Sequence, residues 1–189
     1  PAGDAHLIVE IDGRTQAVEG ERQELASLLQ ELGALTTEHH CDEEACEKVW
    51  QLRRDFSYSL RNTGLTKLNE DIVVPRSKLL DLVEFAREMQ DRTGIAIACF
   101  GHAGDGNIHT NLMVKDYENP EVREKADHAL DQLFQWIIKS GGVITGEHGI
   151  GLAKKRWFAD AVGEEAVSAH SALKLAMDPR GILNPGKFI

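Results

Sequence analysis

Residues 95–114 read "IAIACFGHAGDGNIHTNLMV", and the fold depends on how this stretch turns back on itself. Two apolar runs flank an Asp-Gly pair, the pattern of two antiparallel strands joined by a tight turn. A type I′ turn is the favoured two-residue connection. With Asp105 and Gly106 at its centre, Gly104 pairs with Asn107, Ala103 with Ile108 and His102 with His109. Directly opposed residues on one face have Cβ atoms about 5 Å apart, close enough for two imidazoles to grip one metal ion. Asn111 is the next residue on that face. Two readings of the histidines stand here: a metal-binding pair, or a cross-strand pair satisfied by backbone or water.

Working outward, "EDIVVP" (70–75) is a strand, and Pro75 starts a helix whose apolar face is Leu79, Leu82, Val83, Ala86 and Met89. After "ENPE" comes a helix carrying Val122, Ala126, Leu130, Leu133 and Ile137, and "GGVIT" (141–145) is a short last strand. Residues 68 to 147 thus give strand, helix, strand, strand, helix, strand, the ferredoxin-like βαββαβ pattern of the α+β class, an antiparallel sheet with helices on one face. The other face is the natural place for His102, His109 and Asn111. In the ideal topology the last strand crosses to the opposite rim, roughly 17 Å for five residues. Glu147 and His148 then reach the histidines only if their loop doubles back, which Gly146, Gly149 and Gly151 permit. Ahead of this unit, "AHLIVEIDG" (5–13) is expected as a strand and "ALTTEHH" (34–40) as its return. Between them Leu25, Leu28, Leu29 and Leu32 repeat at helical spacing before Gly33. Residues 42 to 62 form a further helix with Cys46, Val49, Trp50 and Phe56 inward.

The chain has 189 residues, 42% hydrophobic and 28% charged, with net charge -10, an ordinary globular composition with no low-complexity segment and no repeat. No basic run exceeds Lys154, Lys155 and Arg156, so nucleic acid is not an expected partner. The longest apolar run, "IAIACF", is far below membrane-spanning length, and no basic region followed by an apolar stretch opens the chain. Three cysteines do not make a disulfide framework and fit a reducing compartment. Cytoplasmic residence is the expectation.

Two histidines with a carboxylate are a common catalytic metal set that leaves positions open for water or substrate, and Glu147 is the candidate third ligand. His148, its neighbour, would point the opposite way in a strand, so one of the two is suited to metal and the other to proton work. "EHHCDEEAC" (38–46) gathers His39, His40, Cys41 and Cys46 at no standard zinc spacing, and its acidic residues suit a helix start. Cys99, inside an apolar strand, reads as a core residue. "GEHGIG" (146–151) lacks the spacing and the Lys-Ser/Thr of a phosphate loop. Arg53 and Arg54 on a helix read by themselves as a solvated face.

Taken together, these residues resemble the C-terminal domain of FAD-linked 2-hydroxy acid oxidases and dehydrogenases, the family of glycolate oxidase, D-lactate dehydrogenase and D-2-hydroxyglutarate dehydrogenase. The resemblance runs nearly end to end. It covers "LIVEIDG", Trp50-x-x-Arg53, "NEDIVVPRSKL", "GHAGDGNIHTNLMV", "GEHGIGLAKKRW" and "MDPRGILNPGKFI". It implies that residues 1–189 are a substrate or cap domain standing over the flavin of a separate FAD-binding domain. That domain is expected to be absent from this chain, which reads as an excised domain or a natural short subunit.

By matching motif, His102, His109 and Glu147 correspond to ligands of a divalent metal, zinc first, and His148 to the base for the substrate hydroxyl. Arg53 and Asn111 correspond to partners of the substrate carboxylate and metal-bound oxygens, and Asn184 with Lys187 to residues near the flavin. Two departures bear on the substrate. Ser57 stands where the 2-hydroxyglutarate enzyme often has threonine, and Asn69 where it has lysine, Lys67 lying two places earlier. Lactate or glycolate is thereby at least as well supported as a dicarboxylate. The implied partners are a small 2-hydroxy acid, the FAD-binding domain and an electron-acceptor subunit. The competing class is a non-catalytic metal-binding or interaction module.

Overall fold

The computed structural model describes residue 3, residues 5–187 and residue 189. Phe188 of the closing motif lies outside them. Residues Pro1–Ser59 and Leu60–Ile189 form two units. In the first, α1 (Thr15–Glu31) ends before Gly33, whose φ of 81° takes the left-handed conformation that stops a helix. α2 (Glu43–Arg61) starts where Asp42 Oδ1 accepts the Ala45 N–H at 2.8 Å, with Glu43 and Glu44 in its first turn. Its expected inward positions Cys46, Val49, Trp50 and Phe56 are half-buried. Residues 5–13 and 34–40, expected as a strand and its return, are not strands. Apolar alternation yields a strand only where a neighbour takes up the backbone groups. Leu7, at 72% exposed, has no sheet to cover it.

The second unit is built on a three-stranded antiparallel sheet of β1 (Thr66–Val73), β2 (Ala96–His102) and β3 (Asn107–Val114), in the order β1-β3-β2. α3 (Leu79–Thr93) and α4 (Pro120–Lys139) pack on one face. Asn119 caps α4 by accepting the Glu121 N–H, and Pro120 occupies its first position. Leu68, Ile72, Ile97, Leu112 and Val114 of the sheet meet Leu82, Met89, Leu133, Phe134 and Ile137 of the helices. Complete burial of each such Leu, Ile or Phe contributes about 1.5–3 kcal/mol. The α+β class is therefore as the sequence predicts. Val83, expected inward, is 38% exposed. α5 (Lys155–Val162) and α6 (Glu164–Met177) follow the sheet and were not assigned from sequence. Trp157 of α5 lies 4.0 Å from the Phe134 ring, centroid to centroid, and donates Nε1–H to Asp131.

Two departures shape the site. In the hairpin, His102 pairs with Asn107 and Phe100 with His109, across a four-residue loop. A type I′ turn needs positive φ at both central residues. Of residues 103–106 only Gly106 has it, at 78°. The wider loop closes through Gly106 N–H to the His102 carbonyl and Asn107 N–H to Asp105 Oδ1, both at 3.0 Å. The pairing differs from expectation by two residues, and an even slip leaves every side chain on its face. His102 and His109 therefore share a face as diagonal neighbours, not as an opposed pair. In the second departure, the expected last strand is reduced to a single antiparallel bridge between Val143 and Val73.

Candidate active site on the sheet face

Away from the helices, one sheet face carries Lys67, Asn69 and Asp71 from β1, Phe100 and His102 from β2, and Asn107, His109 and Asn111 from β3. Asp71 is fully buried and sits directly across the ladder from His109. Its Oδ2 accepts the backbone N–H groups of Gly146, Glu147 and His148 at 2.8, 2.7 and 2.9 Å, and the Thr145 hydroxyl donates to the same oxygen at 3.3 Å. This collection of donors ends the last strand after one bridge and makes the loop double back. Gly146 is required at the point of closest approach, because a Cβ there would lie 2.6 Å from Asp71 Oδ1 and 2.7 Å from Asn107 Nδ2. Burial alone would push the Asp71 carboxyl up; the three backbone N–H groups outweigh it and hold the carboxyl below its usual range.

The turned loop brings three of the predicted residues, His109, Glu147 and His148, together; it does not draw His102 into a group tight enough for a metal among the described residues. Glu147 Oε1 stands 4.0 Å from His109 Nε2 and 3.8 Å from His148 Nε2. The two imidazoles are 5.7 Å apart, and Phe100 lies 5.6 Å from His109, centroid to centroid. Glu147 and His148 keep 68% and 45% of their side chains exposed, whereas His109 keeps 14%. Asn111 is fully buried, its Nδ2 donating to the carbonyls of Ala98 and His109. The Oδ1 atoms of Asn69, Asp71, Asn107 and Asn111 are buried on this face without a hydrogen-bond partner among the described residues. Lys67 Nζ lies 5.8 Å from the Phe100 ring, and burial pushes its amine below the usual range. Among the described residues no three His, Cys, Asp or Glu close tightly enough to hold a metal ion.

Arg53 and Ser57 are half-buried one turn apart on α2, in the first unit. Asn184 and Lys187 form an exposed turn at the chain end, with Asn184 at a φ of 46°, and Lys155 ties that turn to α5 by donating to the Gly186 carbonyl. In the first unit the His39–Cys46 stretch is exposed or half-buried, with Cys46 Sγ donating to the His40 carbonyl.

Sequence reasoning missed Asp71 and Lys154. Lys154 is 4% exposed, and its Nζ donates to the carbonyls of Asp71 and Ile144 at 2.7 and 2.8 Å, with Glu70 Oε2 at 3.8 Å. The available signal was an acidic pair, Glu70 and Asp71, immediately before an apolar strand core. Charges there are rarely buried unless partnered.

Fold and site define a class: an α+β domain whose helices take one sheet face and whose other face gathers imidazole, carboxylate and amide groups. The family model for the C-terminal domain of FAD linked oxidases matches residues 1–188, and the chain belongs to that family. It is 34% identical to "Glycolate oxidase subunit GlcD" of Bacillus subtilis, over 97% of this chain and 39% of that protein. It is 32% identical to "D-lactate dehydrogenase [cytochrome], mitochondrial" of Kluyveromyces lactis, over 96% and 32%. With "D-lactate dehydrogenase" of Anaerostipes hadrus it shares 28%, over 97% and 39%. The chain thus spans well under half the length of these relatives. Among the described residues no helix is long and apolar enough to cross a membrane.

Proposed function

We propose that this chain is the substrate- and metal-binding domain of an FAD-dependent 2-hydroxy acid dehydrogenase or oxidase of the D-lactate, glycolate or D-2-hydroxyglutarate class, acting with a flavin-binding domain and an electron-acceptor subunit. The observation that carries the reading is the convergence of His109, Glu147 and His148 at one point of the sheet face. His148 takes the proton of the substrate 2-hydroxyl. Asn111, held through its amide, is assigned to the metal-bound oxygens of the substrate by its motif. Arg53 clamps the substrate carboxylate, with Ser57 and Lys67 as further polar partners; these roles rest on the family motifs. Asn184 and Lys187 serve the flavin in the same way. FAD, when bound, supplies the hydride acceptor.

His102, His109 and Glu147 would hold a divalent metal, zinc by preference. The donor chemistry of imidazole and carboxylate suits such an ion, and to hold it the three side chains would have to close further than they do among the described residues. Bound there, the ion would lower the pKa of the substrate hydroxyl. A structural metal module would need a closed shell of four protein ligands; the exposed Glu147 and His148 side chains favour the open, catalytic alternative. Three free cysteines among the described residues agree with a cytoplasmic setting.

Anaerobic addition of D-lactate, glycolate or D-2-hydroxyglutarate to the complete flavoprotein is expected to bleach its flavin. Failure of all three substrates, with the flavin still reducible by dithionite, would overturn the reading. In the same protein His102→Ala and His109→Ala should each remove most of the bound metal by elemental analysis, whereas His39→Ala and His40→Ala should leave it. Unchanged metal in both hairpin variants would refute the ligand assignment.

A further inference from the structure

One carboxylate joins the two halves of the cluster. Asp71 is the ladder partner of His109, and its Oδ2 also gathers the amides of Gly146, Glu147 and His148, 75 to 77 residues further along the chain. The backbone of Asp71 is fixed independently, since its carbonyl accepts from Lys154, whose Nζ also holds the carbonyl of Ile144 at the start of the loop. Asp71 and Lys154 are both buried, and neither is among the groups proposed to touch the substrate. Each instead fixes the backbone from which those side chains project.

From this we infer that Asp71 is a positioning residue, which sets where the Glu147 carboxylate and the His148 imidazole stand relative to His109 by binding three consecutive amides of their loop. The inference rests on the function proposed above for its catalytic consequence, but not for its structural one. Three hydrogen bonds to one charged oxygen are each stronger than a neutral bond. Without them the loop keeps the Val143 bridge and the Lys154 bond to Ile144, both of which lie ahead of residues 146–148. A displacement of about 1 Å in a reacting group is enough to cost roughly a hundredfold in rate.

The test is Asp71→Ala in the complete flavoprotein, read by hydrogen exchange at residues 146–148 and by single-turnover flavin reduction. Exchange of those amides should accelerate by about 10- to 100-fold while the helical core keeps its protection, as expected for local opening. The rate of flavin reduction at saturating substrate should fall by roughly a hundredfold, with KM within about threefold. Asp71→Asn keeps the shape and one acceptor oxygen, and should recover part of both losses. If Asp71→Ala does not accumulate in folded form, the isosteric Asn variant carries the test alone, with smaller shifts in the same directions. Unchanged exchange at 146–148 would overturn the inference, as would accelerated exchange with an undiminished rate. A parent flavoprotein that oxidises no 2-hydroxy acid would remove the proposed function, and the exchange measurement would still decide whether Asp71 holds the loop.

Discussion

Replacing His148 by Asn in the complete flavoprotein is expected to leave metal and flavin bound while slowing flavin reduction by about 10²- to 10⁴-fold, the usual worth of a positioned proton acceptor. Asparagine keeps a polar side chain of similar reach but cannot take the hydroxyl proton. The backbone N–H of residue 148 stays on Asp71 in the variant, so the loop and Glu147 keep their places. Glu147→Gln should behave differently and lose metal first, because it alters a proposed ligand and not the proposed base. The kcat/KM profile of the parent should contain a limb for a group that must be deprotonated, and that limb should vanish in His148→Asn. Stopped-flow reduction by the preferred hydroxy acid decides the matter: a near-parental rate in the variant excludes His148 from the chemistry.

The second large effect concerns stability. Lys154→Ala should destabilise the fold by about 3–5 kcal/mol at neutral pH, the usual result of deleting one partner of a buried ion pair. It strips donors from two buried carbonyls and leaves the Glu70 carboxylate with its counter-charge removed. Burial already pushes the Glu70 carboxyl up, opposed chiefly by the Lys154 charge, and the same burial pushes the Lys154 amine down. A carboxyl raised in the folded state weighs against folding as pH climbs through its folded value, and ceases to do so below its ordinary value of 4.5. The variant's deficit should therefore shrink as pH is lowered from 7 toward 4.5. Urea unfolding of parent and variant at several pH values measures this; a deficit that grows on acidification would show that Glu70 is not the group left exposed to the loss.

The second unit was largely legible because its elements carry strong local patterns: the Asn119-Pro120 helix start, the apolar stripe of α4 and the two runs of the hairpin. The hairpin register was not legible, because Asp-Gly fits both a two-residue and a four-residue loop. The choice was made by tertiary packing, where Gly106 presses so close to Val74 that a Cβ would sit 2.0 Å from its carbonyl oxygen. The expected strand at 5–13 failed for the complementary reason, that alternation without a pairing partner has no structural outcome. Side-chain membership of the site survived the register error, since parity and not exact pairing sorts residues to faces. The closing of Glu147 and His148 onto His109 was visible only as a possibility in the glycines. Its cause, a buried carboxylate acting across the chain, has no local signature.

The shortened last strand also bears on how the molecule avoids its own kind. β1 lies at the margin of the sheet, where a row of open backbone groups would template pairing with another copy and seed aggregation. Val73 spends its N–H and carbonyl on Val143, and the next outward carbonyl, that of Asp71, is taken by an ammonium group. Lys154 thus stands where another strand would dock, donating to the backbone on both sides of the gap, and a positive charge blocks an edge that ladder bonding would otherwise leave sticky.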